Sequence, residues 1–260
     1  MEAARLRELE VTGAADLIVA GSDLEANAIE NNALRPVLYA PPASALADCA
    51  PVSPELESRF SRAAAEAGVS AYAAMIGSSC WPNVEGFFDL FPHGLGFLPL
   101  HQQIWVGGTL GPVLQSDPRF QDFLSINASR SRMLGFLAEE EKAAFFGAAT
   151  CVVVPVRDGA GARLETADAI ASGRPVVITP QGLEGYGSIV QEATGRGVYV
   201  ADTPSEFRAL LRQALRGEAV GCTPEICKRV RLDHLSEKLD HAYGGQLAAY
   251  ECGSPVRCLC

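Results

Sequence analysis

Between Val152 and Gly185, the residues Gly159, Gly161, Arg163, Asp168 and Glu184 fall at intervals that suit an anionic, hydroxyl-rich ligand. Gly159 and Gly161 follow an apolar run ending at Val156, and a helical stretch begins near Ala162. Glycine lets a backbone approach a phosphate closely, and the free N–H groups and dipole of a helix start favour the anion. Arg163, in the first helical turn, adds a bidentate cation, with Arg157 as a second candidate. Asp168 lies five residues further along the same helical stretch, where a carboxylate can accept hydrogen bonds from ribose hydroxyls. Glu184 sits in the loop Thr179–Gly185, after the next apolar run. A strand, a glycine loop and a helix occur in every doubly wound fold, most often as plain packing geometry, so Gly159-Ala-Gly161 alone is weak evidence. The full dinucleotide fingerprint and the P-loop Gly-Lys-Ser/Thr are both absent. His93 and His101 read as packed or exposed rather than catalytic, and Trp81 and Trp105 as core or rim aromatics. No nucleophile elbow supports hydrolase chemistry.

The elements that must hold these residues follow from apolar patterning. Short apolar runs at Tyr72–Gly77, Gln103–Gly107, Arg132–Leu134, Cys151–Val156, Pro175–Thr179 and Gly197–Ala201 predict strands. Helices are predicted between them at Val84–Leu90, Phe120–Leu124, Glu139–Ala148, Leu164–Ala171, Tyr186–Ala193 and Ser205–Arg216. Six strands alternating with helices give an α/β fold, a doubly wound and mostly parallel sheet covered on both faces. Such sheets bind ligands at the carboxyl ends of their strands. The first forty residues read helix (Ala3–Glu10), strand (Asp16–Ala20), helix from an N-cap at Ser22 with Glu25 in capping-box position, and strand (Pro36–Ala40). Pro41, Pro42, Pro51 and Pro54 then suggest a linker. The expected organisation is 1–42, a linker 43–60, the sheet domain 61–220 and a helical tail 221–260.

Composition narrows the partners. The net charge of −10 over 260 residues disfavours nucleic acid and anionic lipid. No run is long and apolar enough for a transmembrane segment, and the charged start offers no secretory segment, so a cytoplasmic setting is expected. Of the eight cysteines, Cys80 and Cys151 read as buried hydrophobes. Cys222, Cys227, Cys252, Cys258 and Cys260 read as reduced thiols in a loose tail, because their spacing matches no zinc pattern and no metal site is expected.

The wider pattern is more specific than the glycine loop. Gly159-Ala-Gly-Ala-Arg-Leu-Glu165, Asp168-Ala-Ile-Ala-Ser-Gly-Arg-Pro-Val-Val177 and Gly182-Leu-Glu-Gly185 resemble the C-terminal lobe of the family-four, group 1 glycosyltransferases. They are most similar to the branch with Gly-Ala-Gly-Thr-Arg-Leu-Lys, Glu-Ala-Leu-Ala-Ala-Gly-Arg-Pro-Val-Val and Gly-Ala-Glu-Gly. Ala14–Ser22 resembles the strand that closes that family's first lobe, Ile76–Gly86 the opening of its second lobe, and Leu134-Gly-Phe136 the Gly-Phe beside the nucleotide base. The resemblance spans about residues 14–216. Three positions depart from it. Ala160 stands where the first of the usual paired glutamates falls, Asp168 replaces the second, and Glu165 replaces the lysine of Arg-Leu-Lys.

The resemblance implies a GT-B glycosyltransferase, retaining and metal-independent, with no cofactor beyond its nucleotide-sugar co-substrate. The reaction implied moves a sugar from a UDP- or GDP-sugar to an acceptor hydroxyl. The implied donor- and nucleotide-binding residues are Gly77, Ser78, Gly135, Phe136, Gly159, Gly161, Ala162, Arg163, Leu164, Asp168 and Glu184, and no catalytic residue is assigned. Residues 1–42 would be a remnant of the acceptor lobe, so this chain alone is expected to bind donor and at most hydrolyse it slowly. The alternative from another class is a non-catalytic nucleotide-sugar-binding or partner-docking protein with a decayed site. A plain dehydrogenase is disfavoured by the missing dinucleotide fingerprint.

Overall fold

The structure, a computed structural model, describes residues 13–33, 37–46 and 53–251. The helix expected over Ala3–Glu10, together with Pro36, Pro51, Cys252, Cys258 and Cys260, lies outside the described residues. Eight strands are described: β1 (Ile18–Ala20), β2 (Val37–Tyr39), β3 (Ala71–Ile76), β4 (Gln102–Gly107), β5 (Ser131–Gly135), β6 (Cys151–Val154), β7 (Val176–Ile178) and β8 (Val198–Val200). β1 and β2 pair parallel across the helix Asp23–Ala33 as a small separate sheet. The other six form one parallel sheet in the order β5-β4-β3-β6-β7-β8. The order reverses between β3 and β6, and the carboxyl ends of the strands flanking such a switch point are where open α/β sheets place ligands.

The inner strands β3, β4, β6 and β7 are largely buried on both faces, as a parallel sheet covered by helices requires. Tyr72 and Ala74 of β3 and Val152 and Val154 of β6 point to one core, with Phe60, Phe145, Ile170 and Ile226 from covering helices. Ala73, Met75, Cys151 and Val153 point to the other, under Phe87, Leu114, Phe207 and Leu211. Tyr72 stacks on Trp105 at 4.3 Å between ring centroids, and its hydroxyl donates to the Phe145 carbonyl at 2.6 Å, so the polar end of a buried aromatic is satisfied. Trp105 is thus core, whereas Trp81 stands exposed at the rim; His93 and His101 are both exposed.

Local caps set the helix starts. Thr203 accepts from the Glu206 N–H and Pro204 opens the helix Pro204–Leu215. Ser22 accepts from the Glu25 N–H at the head of Asp23–Ala33, as expected.

Several expectations need correction. Within the expected linker 43–60, the described residues 43–46 and 53–60 are not free. Ser53 caps and Pro54 opens the helix Pro54–Glu66, because proline at the first helical position needs no N–H partner, and Phe60 then enters the core. Ser44 is fully buried and bridges to Arg231, and Leu46 is buried too. The helix expected over Phe120–Leu124 is two helices, Pro118–Gln121 and Leu124–Arg130. Cys80, expected to be buried, is exposed, since it occupies the N-cap position of Trp81–Leu90 beyond the end of β3. Cys222 and Cys227 are not in a loose tail. Cys222 is buried, with its thiol pushed up to about 12 by burial, and Cys227 donates to the Ile170 carbonyl, because the helix Pro224–Arg229 packs Ile226 into the core. The long helix Leu232–Glu251 follows.

Candidate functional site

The ends of β3, β4 and β5 are tied to one another by backbone. Gly77 N–H donates to the Gly107 carbonyl at 3.2 Å, Gly108 N–H to the Gly135 carbonyl at 2.7 Å, and Leu110 N–H to the Gly77 carbonyl at 3.2 Å. Gly108 has φ +87°, and a Cβ there would lie 2.3 Å from the Gly77 oxygen, so only glycine permits this approach. Buried Asn83 donates to the Ser78 carbonyl and Thr109 accepts from Ser79 N–H, which fixes the loop after β3.

These loop ends and the starts of the helices Glu139–Ala148 and Leu164–Ala171 enclose a cavity of about 270 Å³. Gly77, Ser78, Phe136, Leu164 and Asp168 of the expected residues line it, with Gly108, Thr109, Leu137, Glu139, Lys142 and Glu165. Phe136 is 83% exposed, an aromatic face offered to a planar ligand; Gly135 before it takes φ +71°.

The remaining expected residues form an adjoining layer. Arg163 occupies the N-cap position rather than the first turn, because the helix begins at Leu164. Its Nη2 donates to the Asp158 carbonyl at 3.0 Å and its Nε is buried without a partner among the described residues. A Cβ on Gly159 would meet that guanidinium at 2.6 Å, so the glycine makes room for the arginine. Gly161 N–H already has an anion, the Glu184 carboxylate, at 3.0 Å. Gly185 packs on Ala162, where a Cβ would fall 2.4 Å from the alanine methyl carbon.

Sequence reasoning missed two partners of Asp168. Its Oδ1 accepts from the Ser44 hydroxyl at 2.7 Å and its Oδ2 faces the Lys142 ammonium at 3.3 Å. Lys142 also pairs with Glu139 at 2.8 Å, a spacing of three along the helix that was a legible signal for the pair. Ser44 is 124 positions from Asp168 and left no such signal. Burial pushes the Asp168 carboxyl above its ordinary value, against the opposing pull of Ser44 and Lys142. Burial pulls Lys142 down, but the Glu139 hydrogen bond and the charges of Asp168 and Glu139 outweigh it and hold the ammonium protonated. Segment 39–44 also braces the layer elsewhere: Tyr39 hydroxyl donates to the Gly185 carbonyl, and the Tyr186 hydroxyl lies 2.8 Å from the carbonyls of both Pro42 and Arg163. Burial, with neighbouring Tyr39, Asp168 and Glu165, keeps the Tyr186 hydroxyl protonated and able to donate.

Residues 100–216 match the family model described as Glycosyl transferases group 1. No curated protein matches the chain. Similar solved structures include Anabaena HepE in complex with UDP and glucose, at 15% identity and TM-score 0.67, covering 89% of this chain and 64% of that one. Sucrose-phosphate synthase from Thermosynechococcus elongatus aligns at 16% identity and TM-score 0.66, over 96% of this chain and 63% of that one. The α,α-trehalose 6-phosphate synthase of Burkholderia multivorans aligns at 14% identity and TM-score 0.62, over 95% and 62% respectively. The chain thus spans less than two thirds of the length of these structures. The parallel sheet with its strand-end cavity thus shares its α/β fold with these GT-B glycosyltransferase structures. The segment matched to that family model holds Gly135, Phe136 and the whole of the 152–185 segment.

Proposed function

We propose that this chain binds the nucleotide-sugar donor of a glycosyltransferase, a UDP-sugar before a GDP-sugar, for transfer to an acceptor hydroxyl. The observation that carries the reading is the cavity at the strand ends, walled by Phe136 and Asp168, beside a glycine loop that meets Arg163. Structures of the HepE fold relative holding UDP and UDP-glucose support the uridine choice. In this reading Phe136 covers the base, Asp168 accepts from ribose, and the 159–163 loop with Arg163 takes the diphosphate. A leaving diphosphate gains negative charge during transfer, so cations and amides aimed at it lower the barrier. A retaining course without a resident metal or cofactor is what the family resemblance implies. No described helix is long and apolar enough to cross a membrane, and a cytoplasmic setting is part of the proposal. The second reading, a non-catalytic binder, is favoured by one observation: Glu165 lines the cavity where the related branch carries a lysine.

Thermal melts with UDP, GDP, UDP-glucose and NAD test the ligand class. UDP is expected to raise the melting temperature more than NAD; at a hundred times Kd, linkage gives about 2.7 kcal/mol of stabilisation. A shift with NAD and none with any nucleoside diphosphate would overturn the proposal. Product analysis with UDP-glucose then separates the two readings, since a non-catalytic binder leaves the donor intact.

Glu184 offers a second check. Its carboxylate occupies the Gly161 amide that a diphosphate would use. Glu184→Ala frees the amide and removes a like charge, so UDP affinity is expected to rise by about 1 kcal/mol, the net worth of one hydrogen bond. Calorimetry showing weaker binding instead would make Glu184 a direct donor contact.

A further inference from the structure

We propose that Lys142 is a specificity-determining residue of the donor cavity: with Asp168 it reads a ribose hydroxyl and restricts the site to ribonucleotides. The inference rests on the donor-binding reading of the same cavity. Lys142 stands on a helix whose neighbouring positions, Ala144, Phe145 and Phe146, enter the core, yet its side chain is only 12% exposed and lines the cavity. The ammonium has three hydrogens. Glu139 and Asp168 engage two, at 2.8 and 3.3 Å, which leaves one free. Asp168 Oδ1 takes the Ser44 hydroxyl and Oδ2 faces Lys142, and each oxygen keeps a second lone pair. A free donor and a free acceptor about 3.3 Å apart match a hydroxyl, which accepts from one and donates to the other.

Charge decides which part of the ligand lies there. The charged groups lining the cavity are Glu139, Glu165 and Asp168 against Lys142, three negative and one positive. A phosphate is repelled at that range, whereas an uncharged hydroxyl-bearing ring is not. Arg163 and the amides of the glycine loop lie outside the lining, so the nucleoside and the diphosphate divide between the two regions. Burial raises the Asp168 carboxyl above its ordinary value, and the Ser44 hydrogen bond and the Lys142 charge oppose that shift. A lysine that served only to pair with these carboxylates would affect stability but not the choice between ribose and deoxyribose.

The test is calorimetric titration of the purified chain with UDP, 2′-deoxy-UDP and 3′-deoxy-UDP, for wild type, Lys142→Met, Lys142→Arg and Lys142→Gln, with melts as a folding control. Wild type is expected to prefer UDP over at least one deoxy analogue by about tenfold or more, the range for a hydrogen bond to a charged group. Lys142→Met is expected to lower UDP affinity about tenfold and to abolish that preference. Lys142→Arg should keep part of it, and Lys142→Gln, a neutral donor, stands in if the methionine variant fails to fold. Tight UDP binding with no preference in wild type, or a preference that survives Lys142→Met, overturns this inference alone. Failure of wild type to bind any nucleoside diphosphate removes the donor-binding reading, and this inference with it.

Discussion

Gly86→Ala is expected to destabilise the fold by about 3 kcal/mol, the upper range for forcing atoms into a filled core. Gly86 lies inside the helix Trp81–Leu90, where alanine is intrinsically better than glycine by about 1 kcal/mol. Sterics reverse that sign. A Cβ at Gly86 would stand 1.9 Å from the Pro155 carbonyl oxygen and 3.1 Å from Val156 Cα, both backbone atoms that no rotamer change can move. The helix or the end of β6 must shift, and β6 leads directly into the 157–163 loop, so ligand affinity should fall as well. Gly147→Ala is the matched control. It sits in the helix Glu139–Ala148, is exposed, and has no atom within 4 Å of its would-be Cβ. There the propensity term acts alone, and stability should rise by about 0.5–1 kcal/mol. Urea unfolding of both variants decides the matter: equal effects of one sign would mean that the helix Trp81–Leu90 does not approach Pro155 this closely.

Arg163→Ala is expected to weaken UDP binding by about 1.5–3 kcal/mol, roughly ten- to a hundredfold, as for a hydrogen bond to a charged group. Its guanidinium holds only one hydrogen bond among the described contacts, to the carbonyl of exposed Asp158, and its Nε has none. Its exposed Nη2 edge is what an arriving anion would meet, and the buried Nε keeps an unused hydrogen-bonding capacity behind it. Folding stability should change little, because the lost bond lies at the surface and surface substitutions stay within about 0.5 kcal/mol. Arg163→Lys should recover only part of the affinity, since an ammonium keeps the charge but loses the planar fork. Unchanged affinity in Arg163→Ala by calorimetry would move the diphosphate elsewhere.

The inner strands of the large sheet were legible because a parallel strand buried on both faces is largely apolar, and runs such as Cys151–Val154 and Val176–Ile178 have no other simple reading. The helices Glu139–Ala148 and Leu164–Ala171 were legible for the same local reason, and the pattern Gly159 to Gly185 carried the family resemblance. Proline misled at Pro54, since composition alone does not separate a linker proline from one that opens a helix. Cys80 misled because an apolar neighbourhood in sequence does not say on which side of a strand end a residue emerges.

What the sequence by itself determined, then, is the α/β class, the strand order of appearance and the loops that follow the strands, because each depends on residues within a few positions of one another. The tertiary structure alone decided which side chains share the cavity. Ser44 reaches Asp168 across 124 positions, Tyr39 reaches Gly185 across 146, and Glu184 covers the Gly161 amide across 23. Such pairs are set by how strands and crossovers stack in space, and a hydrogen bond between them leaves no periodicity in the chain to read.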